Sequence, residues 1–376
     1  MVGKDKPTFH ASHHVTAIAF LLIGIIITTS ISFVFPLVLN QNHTAMAQQQ
    51  QLQANQTFSP SVEEQQQLLE GISFQIDNVT FSHHMASVNG IQMHYVMGGQ
   101  GDPVVLLHGW PQSWYEWRHI MPALAENYTV IAPDLRGFGD SSKPTTGYDG
   151  NTTAEDVYQL VSQLGFSEIF LVGHDVGVQT AYSYTAAHPN NVTRLVFMDY
   201  VFPGFIPPEI GQGPWWFSFH QVPNLPEALV EGKEREYLSW FFKGLAYNPS
   251  AITEEDLDVY ASQNSAPGAM RAGFEYYRAF PVDAEQNIES AMNMITTPVL
   301  VLGADFYAAL GDPGNIALST TQPLAADVRG VIVPLSGHWI PEEQPEFVID
   351  QLSSFFGDST NGTGDTGDTG GIFDLP

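Results

Sequence analysis

The sequence contains no cysteine in its 376 residues. This absence excludes disulfide bonds, a thiol nucleophile and thiolate metal ligands. Stability must therefore come from packing, and 44% of the residues are hydrophobic and 12% are aromatic. A chain of this length can bury one large α/β domain with an insertion, or two domains.

Basic residues are scarce, with 12 Lys and Arg against 40 Asp and Glu and a formal net charge of −28. A protein with this negative charge repels nucleic acid and anionic lipid headgroups, so we expect no nucleic-acid partner. It also disfavours anionic substrates unless arginine or lysine lies in the site itself. We interpret the excess of Asp and Glu as a soluble, well-solvated protein surface.

One long run, residues 15–39, lacks charge altogether. It could span a bilayer, and Lys4 and Lys6 before it favour a cytoplasmic N-terminus with export of the residues after the run. Residues 45–47, Ala-Met-Ala, have the form of a cleavage site. We therefore predict that residues 1–47 are a signal peptide or a signal anchor and that membrane contact is confined to this segment. The protein would be extracytoplasmic, either secreted or anchored, and seven Asn-x-Ser/Thr sequons agree with export and glycosylation.

Two low-complexity stretches flank a central region. Residues 48–71 are rich in Gln and Asn and predict a disordered spacer, and residues 358–376 predict a low-complexity tail. Between them, wholly apolar runs such as "PVVLLHG" alternate with helical patterns. The alternation stops over residues 201–290, which are rich in Pro and aromatics and then helical. This predicts an α/β-hydrolase fold, with a mostly parallel central sheet in residues 72–200 and 291–357 and a helical cap inserted after the sixth predicted strand.

Three local patterns make sharper predictions. We expect "ISFQIDNVTF" to form a single leading strand and "WYEWRHIMPALAEN" to form one helix. The helix "NTTAEDVYQLVSQLG" is expected to begin with a capping box made by Thr153 and Asp156.

The segment "EIFLVGHDVGVQT" predicts a buried strand, a tight Gly-x-Asp-x-Gly turn and a helix, with Asp175 at its centre. This pattern is that of a nucleophile elbow, in which esterases and lipases carry serine. A carboxylate attacking an ester would give a labile anhydride, whereas at a saturated carbon it can displace a leaving group and form an alkyl ester. The substrate is therefore predicted to be small and apolar, an epoxide or an organohalide, with water as the second reactant.

Hydrolysis of such an ester needs a base, and His338 follows a buried strand near the C-terminal end of the sheet. Asp199 and Asp305 each end a predicted strand, and either could orient the imidazole. Spacing favours Asp199, because Asp305 comes only seven residues after Pro298. Both assignments keep the chain order nucleophile, acid, histidine.

The remaining functions fall on loop and cap residues. The backbone N–H groups of Trp110 and Val176 are predicted to form the oxyanion hole. Tyr277, on a predicted cap helix, is the expected donor to an epoxide oxygen, and Tyr276 faces elsewhere on that helix. Trp216 is a candidate substrate-binding residue, since its indole N–H can donate a hydrogen bond but cannot transfer a proton. The scheme calls for no metal and no cofactor.

Two further histidines, His108 and His174, flank the predicted site. We expect both to have a structural role and to form hydrogen bonds with the backbone of nearby loops.

Four segments, "HGWPQSWYEWRHIMPALAENYTVIAPDLRGFGDSSKP", "GHDVG", "FEYYRA" and "SGHWIPEEQPE", together resemble the epoxide hydrolase and fluoroacetate dehalogenase branch of the α/β-hydrolases. The similarity extends over roughly residues 72–357 and includes secreted bacterial epoxide hydrolases of the Cif type. The combined motifs are more specific than any one of them.

The resemblance implies roles for five residues. The nucleophile falls on Asp175, the charge-relay acid on Asp199, the base on His338 and the ring-opening tyrosine on Tyr277. The family's other ring-opening donor, a His or Tyr, falls on Trp216. This departure affects the two-donor mechanism, because an indole there could bind a halide or support the epoxide oxygen without giving up its proton.

Dehalogenation is the alternative activity. Fluoroacetate dehalogenases place arginines one and four residues after the nucleophile, where this sequence has Val176 and Gln179, so a haloacid is disfavoured. Haloalkane dehalogenases usually place Trp directly after the nucleophile, and Val176 lacks that donor. We therefore predict an epoxide hydrolase; a non-catalytic binding protein on a hydrolase scaffold is a weaker alternative.

Overall fold

A computed structural model describes residues 70–211, 213–306 and 313–357. The predicted signal segment, the low-complexity tail and all but the last two residues of the predicted spacer lie outside these ranges. Within them, no helix combines the length and the apolar character needed to cross a bilayer.

The described residues form one nine-stranded sheet with the order β1-β2-β3-β5-β4-β6-β7-β8-β9. Its strands are β1 Ser73–Ile76, β2 Val79–Val88, β3 Ile91–Gly99, β4 Asp102–Leu107, β5 Tyr128–Pro133, β6 Ile169–His174, β7 Val192–Met198, β8 Val299–Ala304 and β9 Val328–Val333. The first three strands pair antiparallel, β3 pairs antiparallel with β5, and all other neighbours are parallel. The predicted mostly parallel sheet is confirmed.

The leading strand was predicted as one element and is two. Asp77 and Asn78 adopt φ values of 47° and 67°, which turn the chain between β1 and β2. Asx residues tolerate this left-handed region and form two-residue hairpin turns whose twist matches the flanking strands. The helical insertion therefore follows the seventh described strand, β7, which is the strand predicted as the sixth.

Helices cover both faces of the sheet. Around the sheet lie the helices Met121–Leu124, Gly150–Gln163, Val176–Ala187, Pro313–Thr321, Ile340–Glu343 and Pro345–Gly357. Between β7 and β8 lie Trp215–Gln221, Leu225–Val230, Glu234–Gly244, Glu254–Asn264 and Ala269–Ala291. A helical insertion thus occupies the predicted position, and its limits at 201 and 290 stay a prediction.

Two local helix predictions are wrong. The segment predicted as one helix is a 3-10 helix, Trp114–His119, followed by the short helix Met121–Leu124. The helix Gly150–Gln163 is capped by Asp149, whose carboxylate accepts from the backbone N–H of Thr152. Asp156 instead pairs with an arginine outside its helix.

Each central strand contributes to two separate cores. Along β4, Val105 and Leu107 pack into the core below the insertion, while Val104 and Leu106 pack into the core on the opposite face. This follows from the two-residue period of a strand, and burial of each such side chain is worth about 1.5–3 kcal/mol. Packing on both faces of the sheet holds the carboxyl ends of β4, β6, β7 and β8 in fixed register below the helical insertion.

Candidate active site

Asp175 occupies the sharp turn between β6 and the helix Val176–Ala187, with φ 46° and ψ −125°. An L-residue rarely adopts such a backbone, so the surrounding structure must hold it there. The two glycines of "GHDVG" make the turn possible. A Cβ at Gly173 would lie 2.6 Å from the carbonyl oxygen of Gly177, and one at Gly177 would lie 2.4 Å from that of Leu107. The geometry is that of the predicted nucleophile elbow.

The carboxylate of Asp175 receives backbone hydrogen bonds. The N–H of Trp110 donates to Oδ2 across 3.0 Å, and the N–H of Val176 also donates to this carboxylate. Burial raises the pKa of Asp175 above its ordinary value, while His338, His174 and the two N–H donors act in the opposite direction. The two predicted oxyanion donors therefore converge on one carboxylate.

His338 is paired with Asp199. Its Nδ1 lies 2.6 Å from Oδ2 of Asp199, which follows β7 and is buried. Oδ1 of the same carboxylate accepts from the N–H of Ala304 at 3.3 Å, which ties it to the end of β8. Asp305, the alternative acid, is exposed, and its Oδ2 accepts from the backbone N–H of Leu335 at 3.3 Å. The structure thus brings Asp199, and not Asp305, to Nδ1 of the imidazole.

A pocket lies between the sheet and the helical insertion, and its walls are mostly aromatic. It is lined by Trp110, Asp175, Asp199, Tyr200, Val201, Trp216, Phe217, Phe241, Leu245, Tyr277, Phe280, His338 and Trp339. The lining therefore includes the predicted nucleophile, acid, base, tyrosine and indole. It contains no lysine or arginine, so an anionic substrate group would meet no cation within this described wall.

The two adjacent tyrosines of the long helix Ala269–Ala291 face in different directions, as predicted. Tyr277 lines the pocket, whereas the hydroxyl of Tyr276 donates to the backbone carbonyl of Arg136 at 2.9 Å. Trp216, on the helix Trp215–Gln221, is 3% exposed and lines the same pocket.

The two flanking histidines contact backbone, as expected. His108 donates through Nδ1 to the carbonyl of Gly109 and accepts at Nε2 from the N–H of Leu135. His174 donates through Nε2 to the carbonyl of His338. His174 also contacts a buried carboxylate, a feature that sequence analysis missed.

His220 was also missed. Its ring lies 4.4 Å from the ring of Tyr277, and its Nε2 lies 2.6 Å from the hydroxyl of Tyr237. Burial, helped by the charge of Arg278, lowers the pKa of His220 to about 3, so the ring is neutral at neutral pH. Its position four residues after Trp216, about one helical turn further along the chain, was the available signal.

One cluster of potential metal ligands occurs among the described residues, formed by His94, Asp134 and Asp140. Both carboxylate oxygens of Asp134 are already used. Oδ2 accepts from Nδ1 of His94 at 2.7 Å and from the N–H of Asp140, and Oδ1 accepts from the N–H of Trp114. The cluster is therefore a hydrogen-bonded support for the loop after β5.

Comparison with known proteins agrees with this geometry. The family model for the alpha/beta hydrolase fold matches residues 102–345. The chain belongs to the α/β-hydrolase family. A soluble epoxide hydrolase of Corynebacterium sp. (strain C12) is 42% identical to this hydrolase over 284 residues, which are 73% of this chain and 97% of that protein.

Two further relatives place the hydrolase more closely. The solved structure of the epoxide hydrolase CorEH without ligand matches with a TM-score of 0.69 and 40% identity, covering 74% of this chain and 99% of that chain. A fluoroacetate dehalogenase of Burkholderia sp is 28% identical over 295 residues, or 75% of this chain and 96% of that protein. The hydrolase belongs to the branch that holds both activities, and the prediction of an enzyme is confirmed.

Proposed function

We propose that the hydrolase opens an epoxide to a vicinal diol through a covalent alkyl ester on Asp175. The observation that carries this proposal is the environment of that carboxylate: Oδ2 accepts from the N–H of Trp110, and the side chain lines a pocket with His338 and Tyr277. The named activity of the Corynebacterium relative supports the same reaction.

In the first step, Oδ1 of Asp175 attacks one epoxide carbon and the carbon–oxygen bond of the ring breaks. Tyr277 gives its hydroxyl proton to the leaving oxygen, which remains attached to the neighbouring carbon. The product is a hydroxyalkyl ester of the enzyme and a tyrosinate. The hydrogen bond from the N–H of Trp110 favours these separate roles of the two oxygens, since it engages Oδ2 and Oδ1 is the oxygen proposed to react.

In the second step, water attacks the carbonyl carbon of the ester. Asp199 holds Nδ1 of His338, so Nε2 is the atom that takes a proton from the water. The negative charge develops on Oδ2, where the N–H of Trp110 already donates, and the N–H of Val176 donates to the same carboxylate. Collapse expels the diol, which takes the proton from the histidine, and the second proton of the water restores the tyrosine through solvent.

The pocket favours an apolar epoxide over a haloacid. The described residues that line it include no lysine or arginine, and Gln179 occupies the position of the second arginine of fluoroacetate dehalogenases. The amide of Gln179 forms two reciprocal hydrogen bonds with Asn287, of 2.8 and 2.9 Å. That amide is therefore committed to a packed contact between two helices.

Haloalkane dehalogenation by the same nucleophile is the second candidate. The indole of Trp216 lines the pocket and is a donor that could hold a departing halide. The fluoroacetate dehalogenase relative is consistent with this chemistry. Such a substrate would need no proton from Tyr277.

Parallel assays distinguish these reactions. Styrene oxide, a bromoalkane and p-nitrophenyl acetate are offered to the enzyme and to Asp175→Ala. We expect the wild type to consume only styrene oxide and the variant to consume none of the three. Turnover of the bromoalkane alone would favour haloalkane dehalogenation. Activity of Asp175→Ala would show that Asp175 is not the nucleophile.

A single turnover in ¹⁸O water tests the covalent route. The ester mechanism places the label in the carboxylate of Asp175 and leaves the first equivalent of diol unlabelled. Direct attack of water on the epoxide would label the diol and leave the peptide unlabelled.

A further inference from the structure

Glu116 is a fully buried carboxylate that sits behind the active site. It belongs to the 3-10 helix Trp114–His119 and makes two contacts at 2.9 Å. Oε2 accepts from the backbone N–H of Gly109, and Oε1 lies against Nδ1 of His174. The second contact is an ion pair whose alignment is not that of a hydrogen bond. Both side chains of this pair are inaccessible to solvent.

The partners of this carboxylate are the immediate neighbours of the reacting groups. Gly109 precedes Trp110, the donor to the nucleophile, and His174 precedes Asp175 itself. Nε2 of His174 donates to the backbone carbonyl of His338 at 2.9 Å. One buried carboxylate therefore connects the oxyanion loop, the nucleophile elbow and the loop of the base.

The atoms that face the two ring nitrogens place a positive charge on His174. Nε2 faces a carbonyl oxygen and must carry a proton, and Nδ1 faces the carboxylate of Glu116, so both ring nitrogens have acceptors as partners. Although burial opposes the charge, Glu116 raises the pKa of His174 to about 9. The groups that act on this ring are Glu116 from the 3-10 helix, Asp175 beside it in the chain, Asp199 from the end of β7, and His108 and His338 from the adjoining loops.

His108 does not share this charge. Its Nε2 accepts from the N–H of Leu135, so only Nδ1 carries a proton. Burial also lowers the pKa of His108. The cation next to the nucleophile is therefore His174.

We propose that Glu116 is a positioning residue for the reaction, which keeps His174 cationic so that Asp175 is ionised and correctly held despite its burial. The cation compensates for part of the cost of burying the carboxylate of the nucleophile. The effect on catalysis rests on the proposed function, whereas the charge on His174 does not.

Glu116→Gln removes the charge while keeping the shape. The amide oxygen can still accept from the N–H of Gly109, and the amide NH₂ can donate to Nδ1 of His174, which then becomes neutral. The bond from Nε2 to the carbonyl of His338 is retained. We expect Asp175 to lose a stabilising charge, so its pKa rises.

The charge state can be measured without any substrate. In protein labelled with ¹⁵N histidine, both ring nitrogens of His174 should be protonated from pH 6 to 8 in the wild type, with the signals assigned by their loss in His174→Gln. In Glu116→Gln we expect one protonated and one unprotonated nitrogen over the same range. A neutral ring in the wild type would overturn the proposal, whether or not epoxides are substrates.

The catalytic consequence is measured from the pH profile of kcat/KM for styrene oxide. The acid limb should move to higher pH by about one to three units in both Glu116→Gln and His174→Gln, since a nearby opposite charge shifts a carboxyl pKa by about that amount. A carboxylate that only holds the loop would lower kcat/KM equally at every pH. An unshifted limb in folded variants would exclude the charge role.

Two control variants distinguish an effect of the charge of Glu116 from an effect on folding. Glu116→Asp keeps the charge and should retain an acid limb close to that of the wild type. Glu254→Gln removes one negative charge from an exposed ion pair with Arg235 and Lys243 and should leave the profile unchanged. If Glu116→Gln does not fold, His174→Gln alone carries the test, because a Gln there can still donate to the carbonyl of His338.

Discussion

The backbone N–H of Trp110 donates a hydrogen bond to Oδ2 of Asp175 across 3.0 Å. A donor aimed at one carboxylate oxygen distinguishes the two oxygens before any substrate binds. In the proposed mechanism this oxygen becomes the oxyanion during hydrolysis, and the other oxygen forms the ester. The two proposed half-reactions would therefore use different oxygens of the same side chain.

This division predicts that the ester can be trapped. Replacing His338 with Gln removes the base for water but leaves Asp175 and its donors in place, so alkylation should proceed and hydrolysis should stop. Intact-protein mass spectrometry after addition of styrene oxide should show one added epoxide mass, and peptide mapping should place it on Asp175. The double variant Asp175→Asn/His338→Gln should show no adduct. An unmodified His338→Gln protein, with an active wild type, would contradict the covalent route.

The paired tyrosines allow a matched test of ring opening. Tyr277→Phe removes the proposed proton donor from the pocket and should lower kcat for epoxide by about 10²–10⁴-fold. Tyr276→Phe removes a hydroxyl that donates to the carbonyl of Arg136 and should cost about 1 kcal/mol of stability with little change in kcat. Steady-state kinetics and thermal unfolding of both variants check the prediction. An unchanged kcat in Tyr277→Phe would show that Tyr277 acts by packing alone.

The two strand-end carboxylates provide a second matched pair. Asp199→Asn keeps the shape but can no longer fix the tautomer of His338, and the comparable change in a Ser-His-Asp triad costs about 10⁴ in kcat. Asp305→Asn alters an exposed carboxylate that accepts from the N–H of Leu335 and should stay within twofold or so of the wild type. Single-turnover kinetics should locate the Asp199 defect in ester hydrolysis. A larger defect in Asp305→Asn would reverse the assignment.

The core and the elbow were predictable because their signals are local. Wholly apolar runs of this length are typical of strands covered on both faces, and the glycines of "GHDVG" are required by contacts within the turn and with the adjoining strand. The sequence also placed Tyr277 and Tyr276 on different sides of one helix, because helical periodicity alone decides that.

The parts that could not be predicted depend on contacts between distant residues. Asp156 has the spacing of a capping residue, yet Arg136 holds both of its oxygens and Asp149 caps the helix instead. Glu116 lies between two aromatics in the sequence, and its buried contact with His174, far along the chain, has no local signal. Spacing favoured Asp199 over Asp305, but the contact of its Oδ2 with Nδ1 of His338 joins residues far apart in the chain and is seen only in the structure.

A buried carboxylate in the long helix predicts an unusual pH dependence of stability. Asp283 is 2% exposed, and its Oδ1 accepts from the backbone N–H of Gly150 at 2.8 Å. Burial raises the pKa of Asp283 to about 7 despite that hydrogen bond, and the charge of Asp149 acts in the same direction as burial. An unfolded aspartate has a pKa of about 3.9, so the folded state binds more protons between about pH 4 and 7. The contribution of Asp283 is therefore complete below about pH 4 and is lost as the pH rises towards 7, by at most about 4 kcal/mol.

Asp283→Asn should remove this dependence. Its amide oxygen can still accept from Gly150, so the variant should match the wild type only below about pH 4 and should exceed it in free energy of unfolding by a growing amount as the pH rises to 8. Urea unfolding at several pH values, between 4.5 and 8.5, measures the difference between the two proteins directly. The matched variant Asp149→Asn should lower the raised pKa of Asp283 only slightly, because burial is the main cause of the shift. If the difference in unfolding free energy between the wild type and Asp283→Asn stayed constant across this range, the carboxyl group would have to be ionised throughout.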